Sequence, residues 1–268
     1  MSQAPSERPL SLTAAALWTV ALWLLEHICF EVTEALRPGA ITDIVSVSGC
    51  VVLATSVIVF AMMRVHAPDG SVRATLGVRG LGPIRLLLSA AAGVGLCPAL
   101  STVDDLIAKR WPYDDPEALA SIDKLLGSST HVALVVGVFV VIPLAREAFF
   151  RGVVFGELRQ TTSVVVTVAA TSLLFTVFSL DWRSMPTALV LALSLGWLRA
   201  RTGSVIAPVV AHLAFWSVQG IPILRGADPA ADITYPTNWV GAGMALAIVA
   251  LALTGLQGLS SPSEQHWR

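Results

Sequence analysis

The sequence PLAREAFFRGVVFGEL, residues 143–158, places three charged side chains inside a segment that is otherwise apolar enough to cross a membrane. A charge at the middle of a bilayer costs roughly 2.5–3.5 kcal/mol on insertion scales, so Arg146, Glu147 and Arg151 need compensating interactions or a function. On a helix, Glu147 and Arg151 lie four residues apart on one face, in the order that favours an ion pair. Arg146 lies about 100° away around the helix axis and needs another partner or a hydrated cavity. A structural ion pair and a functional intramembrane site both fit this pattern.

The composition of the chain indicates a polytopic membrane protein. Of its 268 residues, 55 % are hydrophobic and 13 % are charged, whereas roughly 25 % of the residues of a soluble domain are charged. The formal net charge of -1 gives no basic surface, so we expect no nucleic-acid partner. Cys29, Cys50 and Cys97 fall in apolar segments without metal-ligand spacing, which predicts packed thiols and no metal or other cofactor.

Apolar windows near the length of a membrane span predict an all-α fold with about eight transmembrane helices. The fifth and sixth windows are short and are separated by a tight turn at Asp181–Arg183, which predicts a helical hairpin. The eight windows are Leu12–Val32, Ile41–Met63, Ile84–Thr102, Val132–Gly152, Ser163–Phe178, Met185–Leu198, Ser204–Ile221 and Trp239–Leu256.

The connecting segments predict an orientation and a division of the chain. Cytoplasmic N- and C-termini place the densest basic loop, Arg64–Arg85, inside the cell, as the positive-inside rule favours. We expect N-terminal helices with an interfacial helix at 1–130, a core at 131–221, and a last helix with a polar tail at 222–268. The interfacial helix is predicted from the mixed charged and apolar stretch Asp104–Thr130, with a substrate gate as the alternative. Residues 74–78 are expected to be strand-like, and Glu26 and His27 are expected to snorkel or to pair.

Three polar motifs follow one another in the C-terminal half. They are REAFFRG at 146–152, FTVFS at 175–179, and RTGSVIAP at 201–208 leading to HLAFW at 212–216. In order, spacing and flanking residues they resemble the EExxxR, FxxxH and HxxxN motifs of the CAAX-protease and bacteriocin-processing (CPBP) family, which includes the type II CAAX prenyl endopeptidases. The resemblance covers about Pro143 to Val218. It implies an intramembrane endopeptidase of the bacterial cytoplasmic membrane, with a cavity formed by the fourth, fifth and seventh spans.

Three of the four catalytic positions that the resemblance implies carry a different residue in this chain. Arg146 stands in place of the leading glutamate, which is expected to activate water in the family. Ser179 takes the place of the histidine of the second motif, and Trp216 takes the place of the asparagine of the third. The motif residues that are kept include Glu147, Arg151 and His212.

These substitutions predict a degenerate site with weakened or lost peptidase activity. Amide hydrolysis needs a base that activates water and donors that hold the oxyanion. A serine such as Ser179 is no general base near neutral pH, and Arg146 beside Glu147 makes that carboxylate a weaker base. The prediction is therefore a pseudo-peptidase that binds a membrane or lipid-linked protein or peptide.

Other functions fit the same residues. An active endopeptidase would use Glu147 and His212, and a nucleophilic route would use Ser179 with His212 as its base. A zinc site would lack a third protein ligand, since only Glu147 and His212 are candidates. A small-molecule carrier would accommodate intramembrane charges, but the inverted repeat expected of carriers is absent from the sequence.

Overall fold

The structure is a computed structural model that describes residues 9–112, 120, 123–127, 129–178, 181–228 and 234–259. Throughout these ranges the regular elements are helices, which confirms the predicted all-α membrane fold. Six helices are long and apolar enough to cross a membrane. They are α1 (Leu12–Leu36), α2 (Ile44–His66), α4 (Pro83–Arg110), α5 (His131–Leu158), α8 (Ile206–Leu224) and α9 (Thr237–Leu259). The shorter or more polar helices are α3 (Val72–Thr75), α6 (Val164–Phe178) and α7 (Met185–Thr202).

The predicted hairpin is formed by α6 and α7, which pack against each other. The eight predicted windows therefore correspond to the six long helices and the two helices of this hairpin. The strand-like segment predicted at 74–78 is wrong, because its first residues belong to the helical turn of α3. Ser71 caps that turn by accepting a hydrogen bond from the backbone N–H of Ala74 at 3.3 Å.

The stretch predicted as an interfacial helix begins as a direct continuation of α4. This helix extends to Arg110 without a break, so residues 104–110 continue a membrane-spanning helix. Half of the remaining stretch, residues 113–119, 121, 122 and 128, lies outside the described residues, and residues 123–127 are helical. The predicted interfacial helix and the alternative of a gate both stay predictions there.

Helix α4 lies against α8 and α9 at glycine-mediated crossings. A Cβ atom added to Gly93 would overlap the backbone carbonyl of Ala211 in α8, and one added to Gly95 would overlap that of Gly243 in α9. Small residues allow such close approach in membranes, where apolar burial drives helix association less than it does in water. One buried apolar cluster joins α4 and α7 with α8 and α9.

A second buried cluster joins α1, α2, α5 and α6, and α5 contributes Phe149, Phe150 and Val153 to it. On its other side α5 makes polar contacts with α7 and α8. The polar motif residues of α5 therefore lie at the boundary between two apolar clusters. This position places them where three helices can supply partners.

Helix α5 contains two wider, π-type turns, at Gly137–Val141 and at Ala148–Val154. Pro143 has no N–H to donate to the carbonyl four residues earlier, which accounts for a changed hydrogen-bond pattern just before it. The second wide turn begins directly after Glu147 and contains Arg151. Turns of this kind are frequent at functional sites, and this one carries the first motif.

Candidate active site

Glu147, Arg151 and His212 form one buried polar cluster between α5 and α8. Glu147 Oε1 accepts a hydrogen bond from Arg151 Nη1 at 3.3 Å and lies 2.9 Å from His212 Nδ1. Because a carboxylate can only accept, Nδ1 is the nitrogen that carries the proton, and in a neutral ring Nε2 is then an acceptor. The side chains of Glu147 and Arg151 have 0 % exposed surface. The carboxylate is therefore closed off from bulk solvent in this arrangement.

Arg151 connects α5 to both helices of the hairpin. Its Nη2 donates to the backbone carbonyl of Ala192 in α7 at 3.0 Å, and its guanidinium lies 4.5 Å from the ring centre of Phe175 in α6. The backbone carbonyl of Arg151 accepts from Arg199 Nε at 2.8 Å. Arg199 comes directly after the sixth predicted window and is not among the predicted site residues, yet it lies inside α7 and is buried. An arginine next to an apolar window was the signal that could have identified it.

Arg146 points away from this cluster and towards α1. Its guanidinium forms a two-point ion pair with Glu26, through Nη1 to Oε1 and, at 2.9 Å, through Nη2 to Oε2. The same guanidinium lies 4.3 Å from the ring centre of Phe178, a cation–π contact. Arg146 therefore has the partner that the sequence analysis expected for it, and Glu26 forms an ion pair as predicted.

Trp216 fills space between α8 and α5. Its ring is stacked on Phe139, with 5.1 Å between ring centres and 7° between planes. Its indole Nε1 is buried and has no hydrogen-bond partner among the described residues. Ser179 lies outside the described residues, but Phe175 of the same motif contacts the edge of the His212 ring, with 6.1 Å between centres. Motif residues from the predicted fourth, fifth and seventh spans therefore do meet.

Several polar atoms of this region are buried without a partner in the described part of the chain. They include Glu147 Oε2, Arg151 Nε and Arg199 Nη1. The buried site holds the two cations Arg151 and Arg199, and Glu147 is the carboxylate paired with the first of them. Glu147 is thus a counter-ion for Arg151 and retains one unoccupied oxygen. Across the described residues, no group of three His, Cys, Asp or Glu side chains could hold a metal ion.

A cavity of about 430 Å³ lies beside the Arg146–Glu26 pair. Its walls come from α1, α2, α5, α6 and α7, and they combine that ion pair with His27 and aromatic side chains. Glu147 and His212 are not among its lining residues. The charged groups that border this cavity, Arg146 and Glu26, are therefore already paired with each other.

The comparison with known families matches the segment that builds this site. Residues 128–218 match the family described as type II CAAX prenyl endopeptidase Rce1-like. This part of the chain is similar to the CAAX-protease family. No curated protein and no solved structure gives a match to it. The matched segment of this CAAX-protease-like chain runs from just before α5 into α8, so it contains all three motifs.

Proposed function

We propose that this CAAX-protease-like membrane protein has no peptidase activity and binds a membrane or lipid-linked partner. The observation that carries the proposal is the complete burial of Glu147, whose Oε1 is engaged by both Arg151 and His212. A general base must come within hydrogen-bond reach of the water that it activates. A carboxylate without any exposed surface is out of reach of bulk water unless the helices move apart.

The chemistry of Arg146 supports the same proposal. Its guanidinium stays protonated and cannot accept a proton from water. Both oxygens of the nearby Glu26 are engaged by that guanidinium, so this carboxylate is not a substitute base. Each of these two carboxylates, Glu147 and Glu26, thus acts as a counter-ion for an arginine.

The binding partner would enter the cavity beside Arg146. We place the protein in a bacterial cytoplasmic membrane with both termini in the cytoplasm, and we assign the core to residues 131–221. Ser179 and Trp216 would then be packing or contact residues, and not a base and an oxyanion donor.

An active endopeptidase is the second candidate, and one observation favours it. Glu147 Oε2 is buried without a partner among the described residues, so a water that entered the cluster would find an acceptor there. Hydrolysis would need α5 and α8 to separate around Glu147 and His212, because the closed arrangement leaves no room.

Proteomic mapping of protein N-termini tests the loss of activity. Source cells would carry wild-type protein, Glu147→Ala or His212→Ala at matched membrane levels, with Glu157→Gln as a control at another buried acid of α5. We expect the same N-termini in all four strains. New N-termini that depend on both Glu147 and His212, and persist in the control, would establish an active peptidase and refute the proposal.

Photo-crosslinking tests the binding role. A photoreactive amino acid at Phe30 would face the cavity, whereas one at Leu17 would lie on the exposed, apolar outer side of α1. We expect a discrete protein or peptide adduct from position 30 and none from position 17. Equal patterns from both positions would show that the cavity has no partner of its own.

A further inference from the structure

The cavity beside Arg146 has the size and walls of a small-molecule site. Its volume of about 430 Å³ falls within the roughly 300–1,000 Å³ that such sites occupy. Aromatic rings form much of its wall, namely Trp23, Phe30, Phe150, Phe175 and Phe178. The rest of the wall consists of a few aliphatic side chains and a few polar groups. This is the usual composition of a ligand site.

Arg146 presents unused hydrogen-bond donors to this cavity. A guanidinium has five N–H groups, and the pairing with Glu26 accounts for one bond from each Nη. The Arg146 side chain keeps 16 % of its surface exposed, while that of Glu26 keeps 4 %. The guanidinium therefore has three N–H groups beyond this pairing on the more exposed member of the pair, whereas both carboxylate oxygens are occupied.

His27 supplies an acceptor to the same cavity. Its Nδ1 lies 2.8 Å from the backbone carbonyl of Trp23, and since a carbonyl only accepts, Nδ1 carries the proton. In the neutral ring Nε2 is then an acceptor, and the side chain is exposed and lines the cavity. A ligand that combines an acceptor oxygen with an acidic proton would satisfy both residues.

The charge balance favours a protonatable acid. Arg146 and Glu26 together are neutral, so a permanent anion such as a phosphodiester would add an uncompensated charge at low dielectric. A carboxylic acid enters uncharged. Its O–H donates a hydrogen bond to His27 Nε2 while its other oxygen accepts one from Arg146, so both residues are satisfied and the cavity remains neutral.

We propose that this cavity binds the carboxyl head of a long-chain fatty acid. The head oxygens accept hydrogen bonds from Arg146, the acid proton is held by His27, and the alkyl chain packs along the aromatic wall. The inference rests on the proposed role of this cavity as the binding site and names the class of lipid head group that the cavity takes. It does not depend on whether Glu147 is catalytically active.

Binding of radiolabelled palmitate to the full chain in phosphatidylcholine nanodiscs tests this inference. We expect saturable binding, with methyl palmitate and lysophosphatidylglycerol competing at least about tenfold more weakly than palmitate itself. A hydrogen bond to a charged group contributes about 1.5–3 kcal/mol, which corresponds to about tenfold or more in affinity. The ester lacks the acid proton, and the phosphodiester carries a permanent charge.

Variants locate the site. The double variant Glu26→Gln/Arg146→Gln keeps the approximate shape and removes both charges, and we expect at least about tenfold weaker palmitate binding. His27→Gln should weaken palmitate binding as well. If the double variant is not monodisperse, the palmitate affinity of His27→Gln decides the test. Arg37→Gln, at the exposed pair with Asp43, is the matched control and should bind like wild type.

The results separate this inference from the proposed function. Absence of saturable binding to monodisperse wild type, equal competition by the ester or the phosphodiester, or unchanged affinity in the variants would each overturn the fatty-acid site. Peptidase activity found alongside normal palmitate binding would overturn only the proposed loss of activity. Position-30 crosslinks to a protein without any palmitate binding would overturn the fatty-acid site and leave the binding role intact.

Discussion

Replacing Glu147 with glutamine removes the negative charge that faces Arg151 while keeping the shape of the side chain. Neither side chain has exposed surface, so the guanidinium of Arg151 would keep a buried charge without its counter-ion. Removing one partner of a buried ion pair costs about 3–5 kcal/mol. We expect Glu147→Gln to lower the free energy of unfolding by this amount, measured by titrating the purified protein in micelles with SDS and following tryptophan fluorescence.

A double variant identifies the cause of that loss. Glu147→Gln/Arg151→Met removes the stranded cation together with the carboxylate, at the cost of the charge-assisted bond to the Ala192 carbonyl, about 1.5–3 kcal/mol. We expect the double variant to be more stable than Glu147→Gln alone, because replacing a whole buried pair by apolar atoms is often close to neutral. Two results would refute the buried-pair reasoning. One is a loss of free energy of unfolding below about 1 kcal/mol for Glu147→Gln, and the other is a loss in the double variant equal to the sum of the losses in the two single variants.

Two further substitutions test how the helices and loops are held. Arg146→Glu should lower the free energy of unfolding by about 3 kcal/mol or more in the same titration, because it sets a second carboxylate against the buried Glu26. Adding Glu26→Arg should recover most of that loss, and no recovery would contradict the pairing. Gly77→Ala should cost about 1–3 kcal/mol, because Gly77 has a φ of 66° and a Cβ there would overlap the guanidinium of Arg199. Gly80→Ala, which has open space, is its control, and equal effects at both glycines would contradict this reason.

The sequence was informative wherever a regular helix determines the outcome. The spacing of Glu147 and Arg151 predicted their contact, because residues four apart share a helix face. Apolar length predicted the long helices and the α6–α7 hairpin, because hydrophobic thickness fixes how many residues a span needs. These properties depend on neighbours along the chain, and the structure adds only boundaries to them.

The partners between distant helices could not be predicted in the same way. Arg146 required a counter-ion, yet its pairing with Glu26, 120 positions earlier, depends on how α1 packs against α5. The buried position of Arg199 depends on the docking of the loop at Gly77 against α7. A charge pattern indicates that a partner is needed, whereas tertiary packing decides which residue provides it.

The two arginines of the first motif divide the site into a dry half and an accessible half. Glu147 is paired with Arg151, lies within hydrogen-bond distance of His212 and has no exposed surface, and the proposed loss of activity rests on that burial. Arg146 borders the cavity, where a ligand could enter, but it offers donors and no base. Hydrolysis needs base, water and scissile bond in one place. Under the proposed function, a ligand needs only the accessible half, while the buried cluster stabilises the helices around the cavity.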